Sequence, residues 1–131
     1  LMAPYLPALT DKVCAYLQHE DLEVVSAQSL SVADNAAVGR LNPDNLLRLL
    51  ENVPQSVDTI VLSACVQMPS LSVLAEAERQ TGIRVVTAAS ATVFQALKKM
   101  GLQPGIQHYG ALLDGSACAE TFIQELVTQY P

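Results

Sequence analysis

The chain has 131 residues, of which 50% are apolar and 15% are charged, and its formal net charge is −6. This much apolar sequence excludes a disordered chain, and the length predicts a single domain over residues 1–131. The acidic balance and the 5% aromatic content exclude a basic, base-stacking surface for nucleic acid.

The sequence carries neither a membrane-spanning run nor a signal-peptide pattern. No apolar stretch approaches the roughly 20 residues needed to cross a bilayer. The first residues lack a basic region followed by an apolar stretch and a cleavage site. Three widely spaced cysteines, Cys14, Cys65 and Cys118, then indicate reduced thiols. We therefore expect a cytoplasmic protein with no membrane partner.

Short apolar runs alternate with helical patterns in the first half of the chain. The predicted elements are a strand end at residues 1–3, a helix at 8–19, a strand at 22–27, a polar loop at 28–41 and a helix opened by Asn42-Pro43-Asp44. The first helix places Leu9, Val13 and Leu17 on one face, which we expect to be its buried face.

The second half repeats this alternation. We predict a strand at 58–64, a helix that starts at Pro69 and ends before Gly82, a strand at 83–87, a helix at 90–100, a loop or short strand at 105–113 and a last helix at 117–130. The expected inward faces are Leu71, Leu74 and Ala75 in one helix and Val93, Leu97 and Met100 in the next. The predicted fold is α/β and doubly wound, with a mainly parallel four-stranded sheet covered by helices on both faces.

Ligands of open parallel sheets bind beyond the carboxyl ends of the strands. The loops expected there are Pro4-Tyr5, the polar loop with Ser31, Asp34 and Asn35, residues 63–69, and residues 88–92. They offer a phenol, an amide and a thiol, and Asp34 is the acidic side chain among them.

Cys65 follows a predicted buried strand and precedes a predicted helix. Free N–H groups at a helix start favour an anion, so the position suits a reactive thiolate. An inert, buried cysteine is the alternative, since free cysteine is among the most buried residue types. For Cys14 and Cys118 we predict packing alone.

Several kinds of chemistry have no support. The sequence has no C-x-x-C, no Cys/His pair with metal spacing and no glycine-rich nucleotide motif, so we expect neither a metal site nor a dinucleotide or P-loop nucleotide site. A phosphate-binding C-x5-R loop would need arginine where Leu71 stands. His108 has no serine nucleophile motif beside it, and His19 ends a helix, where a cation suits the dipole.

Residues 60–69, IVLSACVQMP, resemble the second cysteine motif of the aspartate/glutamate racemase superfamily. The similarity is greatest to the branch of maleate cis-trans isomerase and arylmalonate decarboxylase. Residues 2–5, 31–40 and 108–113 resemble further segments of those enzymes, in the same order.

This resemblance implies a cofactor-independent enzyme acting on a small carboxylic acid. Cys65 would exchange a proton with carbon, and Tyr5 would stabilise the developing charge. The residues implied in substrate binding are Pro4, Asn35 and, through their N–H groups, Val66 and Gln67. Maleate-type isomerisation ranks first, ahead of amino-acid racemisation and arylmalonate-type decarboxylation. A flavodoxin-like binding domain is the non-enzymatic alternative.

Members of this family have two similar α/β halves, and each half of the isomerase supplies one cysteine. The chain resembles the C-terminal half only. We therefore expect an N-terminal half domain as its partner, a homo-oligomeric assembly, and no turnover by the chain alone. The predicted helix at 117–130 extends past the usual family ending.

Overall fold

The structure is a computed structural model, which describes residues 1–63 and 68–116. Within that part of the chain, the strands are β1 (Met2–Ala3), β2 (Gln28–Ser29), β3 (Thr59–Leu62) and β4 (Arg84–Thr87). They pair in parallel in the order β2-β1-β3-β4. The helices are α1 (Pro7–His19), α2 (Asn35–Val38), α3 (Pro43–Leu50), α4 (Leu74–Thr81), α5 (Ala88–Lys99) and α6 (Ala111–Asp114), with a 3-10 turn at Leu71–Val73. The predicted α/β class and parallel four-stranded sheet are confirmed.

Helices lie on both faces of the sheet but cover them unequally. On the face we call the packed face, α2, α3 and α4 bury Val38, Leu46 and Leu74 in one cluster with Ile60 and Leu62 of β3. On the other, which we call the open face, α1 and α5 flank Val61 and Val86 across a cavity. In the 13 residues of α1, the buried residue is Thr10.

The strand predicted at residues 22–27 is wrong. That segment has no regular structure, and the strand lies at Gln28–Ser29, inside the predicted loop. The register explains the shift, because Gln28 lies opposite Met2 in β1.

The helix starts follow local capping chemistry. The side chain of Asn42 accepts a hydrogen bond from Asp44 N (3.0 Å) at the start of α3, as the sequence predicts. The helix predicted from Pro69 begins later, since a 3-10 turn precedes α4, and Leu71 points outward. Gly82 ends α4 in the left-handed conformation (φ 69°), which glycine adopts without strain.

The buried face predicted for α5 is wrong. Val93 and Met100 are exposed, whereas Phe94 and Ser90 are buried. The helix also starts at Ala88, directly after β4, which leaves no loop at residues 88–92. Phe94 lines the open-face cavity.

Two predicted features lie outside the described residues: the cysteine segment at 64–67 and the helix at 117–130. Among the described helices, none is long and apolar enough to cross a membrane.

Candidate active site at the carboxyl edge of the sheet

The strand order brings the loops after β1 and β3 side by side in the middle of the sheet. The loop after β1 begins with Pro4 and Tyr5, and the loop after β3 leads to Cys65. The loop after β2, which carries Asn35, flanks the first of these. Because all strands are parallel, these three loops leave the same edge of the sheet.

The turn at Tyr5 is fixed by hydrogen bonds from the end of β2 and the loop that follows it. The Tyr5 carbonyl accepts from Ser31 N (3.1 Å) and from the hydroxyl of Ser29. The Pro4 carbonyl accepts from Val32 N (2.8 Å). Three donors therefore hold the backbone of the turn without involving the phenol of Tyr5.

Pro4 and Tyr5 differ in how far they are open to a ligand. Pro4 is fully buried, so it shapes the turn and exposes no side-chain surface. Tyr5 is half-buried, with its ring against the packed-face cluster. That packing fixes the direction of the ring while part of the side chain remains accessible.

Asn35 is exposed at the first position of α2, and no described residue hydrogen-bonds to its side-chain amide. Its neighbour Asp34 is engaged: Oδ1 accepts from Ala36 N at 2.9 Å, and Oδ2 lies 3.4 Å from Nη2 of Arg40. The amide of Asn35 is therefore available to a ligand, whereas the carboxylate of Asp34 caps the helix and pairs with a cation.

The described residues on either side of the cysteine segment are well anchored. Ser63 N donates to the carbonyl of Met2 at 2.7 Å, which joins the start of this loop to β1. After the segment, Met68 is buried and its carbonyl accepts from Ser70 N at 2.7 Å. Cys65, Val66 and Gln67 themselves lie outside the described residues.

The fourth predicted loop, at residues 88–92, adds no free hydroxyl from Ser90. Thr87 and Ser90 form a reciprocal capping box at the start of α5, with Ser90 N to Thr87 Oγ1 at 3.0 Å and Thr87 N to Ser90 Oγ at 2.9 Å. Both residues are buried. Their hydroxyls therefore serve the fold.

Two residues near the site are not among the candidates predicted from the sequence. Ser29 bonds to a carbonyl 24 residues away, a contact that only the strand pairing creates. Arg40 places a guanidinium beside the loop of Asn35. The sequence signal for Arg40 is its place at the end of the segment that resembles the family's substrate loop.

The remaining candidates lie away from this edge or show no partner for chemistry. Cys14 is half-buried in α1, and His19 is exposed in the last turn of that helix. His108 is exposed in a turn with φ 73°. Cys118 lies outside the described residues.

The comparisons with known proteins cover the part of the chain that forms this edge. The sequence profile of the arylmalonate decarboxylase family matches residues 1–113, which include every candidate named above except Cys118. The chain belongs to this family, and the resemblance seen in the sequence is confirmed.

The relatives include the maleate isomerase of Alcaligenes faecalis, 43% identical over 116 residues, which are 88% of this chain and 46% of that protein. The arylmalonate decarboxylase of Bordetella bronchiseptica is 30% identical over 124 residues, 88% of this chain and 50% of that protein. The chain thus spans about half the length of the curated relatives it matches.

Solved structures show the same similarity. The maleate isomerase Iso from Pseudomonas putida S16 superposes with a TM-score of 0.83 at 39% identity, over 88% of this chain and 47% of that one. A cysteine-to-serine variant of the Nocardia farcinica maleate cis-trans isomerase superposes with a TM-score of 0.82 at 35% identity, over 87% of this chain and 47% of that one. That structure contains a covalently bound succinylcysteine intermediate.

Proposed function

We propose that this chain supplies the C-terminal half of a cofactor-independent, cysteine-dependent isomerase that converts maleate to its trans isomer. The observation that carries the proposal is the 43% identity to a maleate isomerase over 88% of the chain. The anchored Tyr5 turn and the accessible Asn35 amide, which share one edge with the Cys65 loop, support the same site.

In the proposed reaction, a cysteine thiolate from the N-terminal half adds to one olefinic carbon of maleate. The C–S bond forms as the double-bond electron pair moves to the adjacent carbon and its carboxylate, giving an enediolate. The thiol of Cys65 then protonates that carbon, which yields a succinyl thioether with a single central bond. The succinylcysteine in the Nocardia farcinica isomerase is an intermediate of this kind.

Rotation about the single bond precedes the return steps. The thiolate of Cys65 removes a proton from the carbon it protonated, the C–S bond breaks, and its electron pair returns to the first cysteine. The trans acid is released and both thiols regain their starting states. A thiol suits these transfers because it titrates closer to neutrality than a hydroxyl does.

The developing negative charge needs hydrogen-bond donors that are already in position. We assign this role to the phenol of Tyr5, the amide of Asn35 and the N–H groups of Val66 and Gln67. Pro4 contributes by shaping the turn that carries Tyr5.

Arylmalonate-type decarboxylation is the second candidate, favoured by the family profile over residues 1–113. Here carbon dioxide leaves first, the same donors hold the enediolate, and Cys65 protonates it. Amino-acid racemisation has less support, because the carboxylate of Asp34 is already paired with Arg40 and so is not free for a substrate ammonium group.

Conversion of maleate, monitored by its ultraviolet absorbance and by NMR of the product, tests the proposal in the protein that carries this chain. Cys65→Ala and Cys65→Ser should each lower kcat by about 10²–10⁴-fold, since both remove the acid–base group at carbon. Cys14→Ser is the matched control and should keep kcat within about twofold, because Cys14 belongs to α1. Normal turnover by Cys65→Ser would exclude proton transfer by Cys65.

The role of Tyr5 can be separated from its packing. Tyr5→Phe keeps the ring against the core cluster and removes one donor, so kcat should fall by about 10²–10³-fold with the fold unchanged. Turnover of an arylmalonate but not of maleate by the unaltered protein would select the decarboxylase alternative.

The partner and the assembly are part of the proposal. An N-terminal half that brings the first cysteine completes the site, and we expect a homo-oligomer of the assembled enzyme. Light scattering of the protein with its size-exclusion profile measures the assembly. A fully active monomer of the 131-residue chain alone would contradict the two-half site.

A further inference from the structure

Three non-glycine residues of the described chain have a positive φ: Asp21 (59°), Ser31 (55°) and His108 (73°). Aspartate and histidine are several-fold enriched in this left-handed region, whereas serine does not belong to that group. Asp21 is also the second residue after α1, a position at which helices commonly turn left-handed. Ser31 is therefore the residue whose type and position explain its conformation least.

The backbone of Ser31 belongs to the segment that holds the Tyr5 turn. Ser31 N donates to the carbonyl of Tyr5 at 3.1 Å, and Val32 N donates to the carbonyl of Pro4 at 2.8 Å. Glycine adopts a positive φ without the steric cost that a side chain brings. These backbone hydrogen bonds therefore do not by themselves call for serine at this position.

The side chain of Ser31 is exposed between two packed neighbours. Leu30 and Val32 lie against the packed-face cluster, whereas Ser31 does not. No described residue hydrogen-bonds to the hydroxyl of Ser31, although the hydroxyl of Ser29, two residues earlier, donates to the carbonyl of Tyr5. The hydroxyl of Ser31 is therefore available to a ligand at the edge that carries Tyr5 and Asn35.

A dicarboxylate substrate needs hydrogen-bond donors for both of its carboxylates. In the reaction proposed above, one carboxylate becomes the enediolate, and its donors are the phenol of Tyr5, the amide of Asn35 and the N–H groups of Val66 and Gln67. The second carboxylate keeps its charge throughout and has no donor assigned to it. Because a carboxylate that leaves water loses free energy unless it is hydrogen-bonded, the site needs at least one further donor.

We propose that Ser31 is a substrate-binding residue, whose hydroxyl donates a hydrogen bond to the second carboxylate, the one that does not become the enediolate. The inference rests on the proposed function and adds a determinant of selectivity for dicarboxylates over monocarboxylates. The second carboxylate carries the same charge in the bound substrate and in the transition state. The hydrogen bond from Ser31 therefore contributes to binding more than to the chemical step.

Steady-state kinetics of Ser31→Ala with maleate, in the protein that carries this chain, give the first test. Loss of one hydrogen bond to a carboxylate should raise KM by about tenfold or more, with a smaller change in kcat. Tyr5→Phe is the comparison and should lower mainly kcat, because its donor acts on charge that develops in the transition state. An unchanged KM in Ser31→Ala, or an effect confined to kcat, would overturn the proposal.

Equilibrium binding isolates the second carboxylate. Succinate and butyrate share a four-carbon chain and one carboxylate, and only succinate has the other. In calorimetric titrations, Ser31→Ala should bind succinate about tenfold more weakly than the parent protein does, and butyrate less than about twofold more weakly. Equal losses for the two ligands, or no loss for succinate, would contradict a hydrogen bond from Ser31 to the second carboxylate.

Two further variants separate the hydroxyl from the backbone. Ser31→Gly also lacks the hydroxyl but fits a positive φ, so it should bind succinate as weakly as Ser31→Ala while melting at a higher temperature than that variant. Affinity of Ser31→Gly equal to that of the parent would assign the loss in Ser31→Ala to the backbone and overturn the proposal. Ser56, exposed in the turn before β3 at the opposite edge of the sheet, provides the matched control. Ser56→Ala should bind succinate like the parent, and an equal loss there would also count against Ser31.

The parent protein distinguishes a failure of this inference from a failure of the proposed function. A parent that binds succinate about tenfold or more tightly than butyrate but does not convert maleate would contradict the isomerase assignment alone. The succinate and butyrate titrations of Ser31→Ala would still decide the role of Ser31. A parent that binds succinate no more tightly than butyrate would overturn that role, whatever its turnover of maleate.

Discussion

The packed face and the open face of the sheet are built from similar helices and differ in what those helices bury. On the packed face, Leu74 and Ala77 of α4 are fully buried against Ile60 and Leu62. On the open face, Leu9 and Tyr16 of α1 stay exposed. The comparison shows that apolar spacing predicts a helix, whereas burial depends on whether a second layer reaches that helix.

The largest expected difference between the faces is in the free energy of unfolding that is lost when a leucine is replaced by alanine. Leu74 is 0% exposed, so Leu74→Ala should lower the free energy of unfolding by about 2–5 kcal/mol. Leu9 is 46% exposed, and Leu9→Ala should change it by no more than about 0.5 kcal/mol. Urea unfolding of both variants measures the contrast, and equal costs would mean that α1 is covered in solution.

Glu78 joins the two faces at the β4 edge. One carboxylate oxygen accepts from Val85 N (3.0 Å) and the other from Ala111 N (2.7 Å), linking α4 to β4 and α6. Glu78→Ala leaves two partly buried N–H groups without this acceptor, so we expect a loss of about 2–3 kcal/mol in urea unfolding. Glu78→Gln retains one acceptor oxygen and should lose less. An unchanged stability in both variants would show that the link does not form.

The capping groups give a smaller contrast between the faces. Thr87→Ala removes the buried cap of α5, and the expected loss is about 1–2 kcal/mol. The exposed cap of α3 is the comparison, where Asn42→Ala should lose about 1 kcal/mol or less. Thermal unfolding of the pair ranks the two caps. A larger loss of stability in Asn42→Ala than in Thr87→Ala would contradict the larger contribution expected of the buried capping box.

The smallest effect is expected from the exposed side of α4. Hydrogen bonds from Arg79 and then Gln80 lower the pKa of Glu76 from its usual 4.5 to about 2. A carboxyl group whose pKa is lower in the folded state stabilises the fold at pH values above its unfolded pKa. This contribution to stability is lost as the pH falls from about 4.5 through about 2.

Glu76→Gln should therefore differ slightly from the parent at pH 6, and the two should converge near pH 2. Because the pair is exposed, salt screens it, and about 0.5 M sodium chloride should remove most of the difference at pH 6. Urea midpoints across this pH range measure the effect. A difference that grows toward low pH would have the wrong sign for this ion pair.

Much of the fold is predictable from local sequence. The Asn42-Pro43-Asp44 start, the apolar β3 run and the ending at Gly82 each depend on residues within a few positions. The strand predicted at 22–27 failed because its pairing depends on the register with β1, which no local pattern encodes. The prediction of the buried face of α5 failed because Ser90 and Phe94 fit helical spacing as well as Val93 and Leu97 do, so periodicity alone does not choose between the two faces.

The candidate site also contains some residues that the sequence predicts and others that it does not. The sequence predicts Tyr5 and Asn35 as candidates from their place after strands and from the family resemblance. It does not predict Ser29, because the hydroxyl of Ser29 meets the carbonyl of Tyr5, 24 residues away, only after β1 and β2 have paired. The engagement of Asp34 by Ala36 N and Arg40 likewise requires the folded loop.

The way the Tyr5 turn is held has a consequence for how this scaffold can acquire new chemistry. Its position comes from peptide carbonyls that accept from Ser29, Ser31 and Val32, so the identity of the side chain at position 5 is separate from the path of the backbone. Selection, in nature or in a library, can therefore change the side chain at position 5 while the backbone of the turn keeps its hydrogen bonds. Variation at position 29 would instead remove one of the three donors that hold this backbone, and so would act on every side chain introduced at position 5.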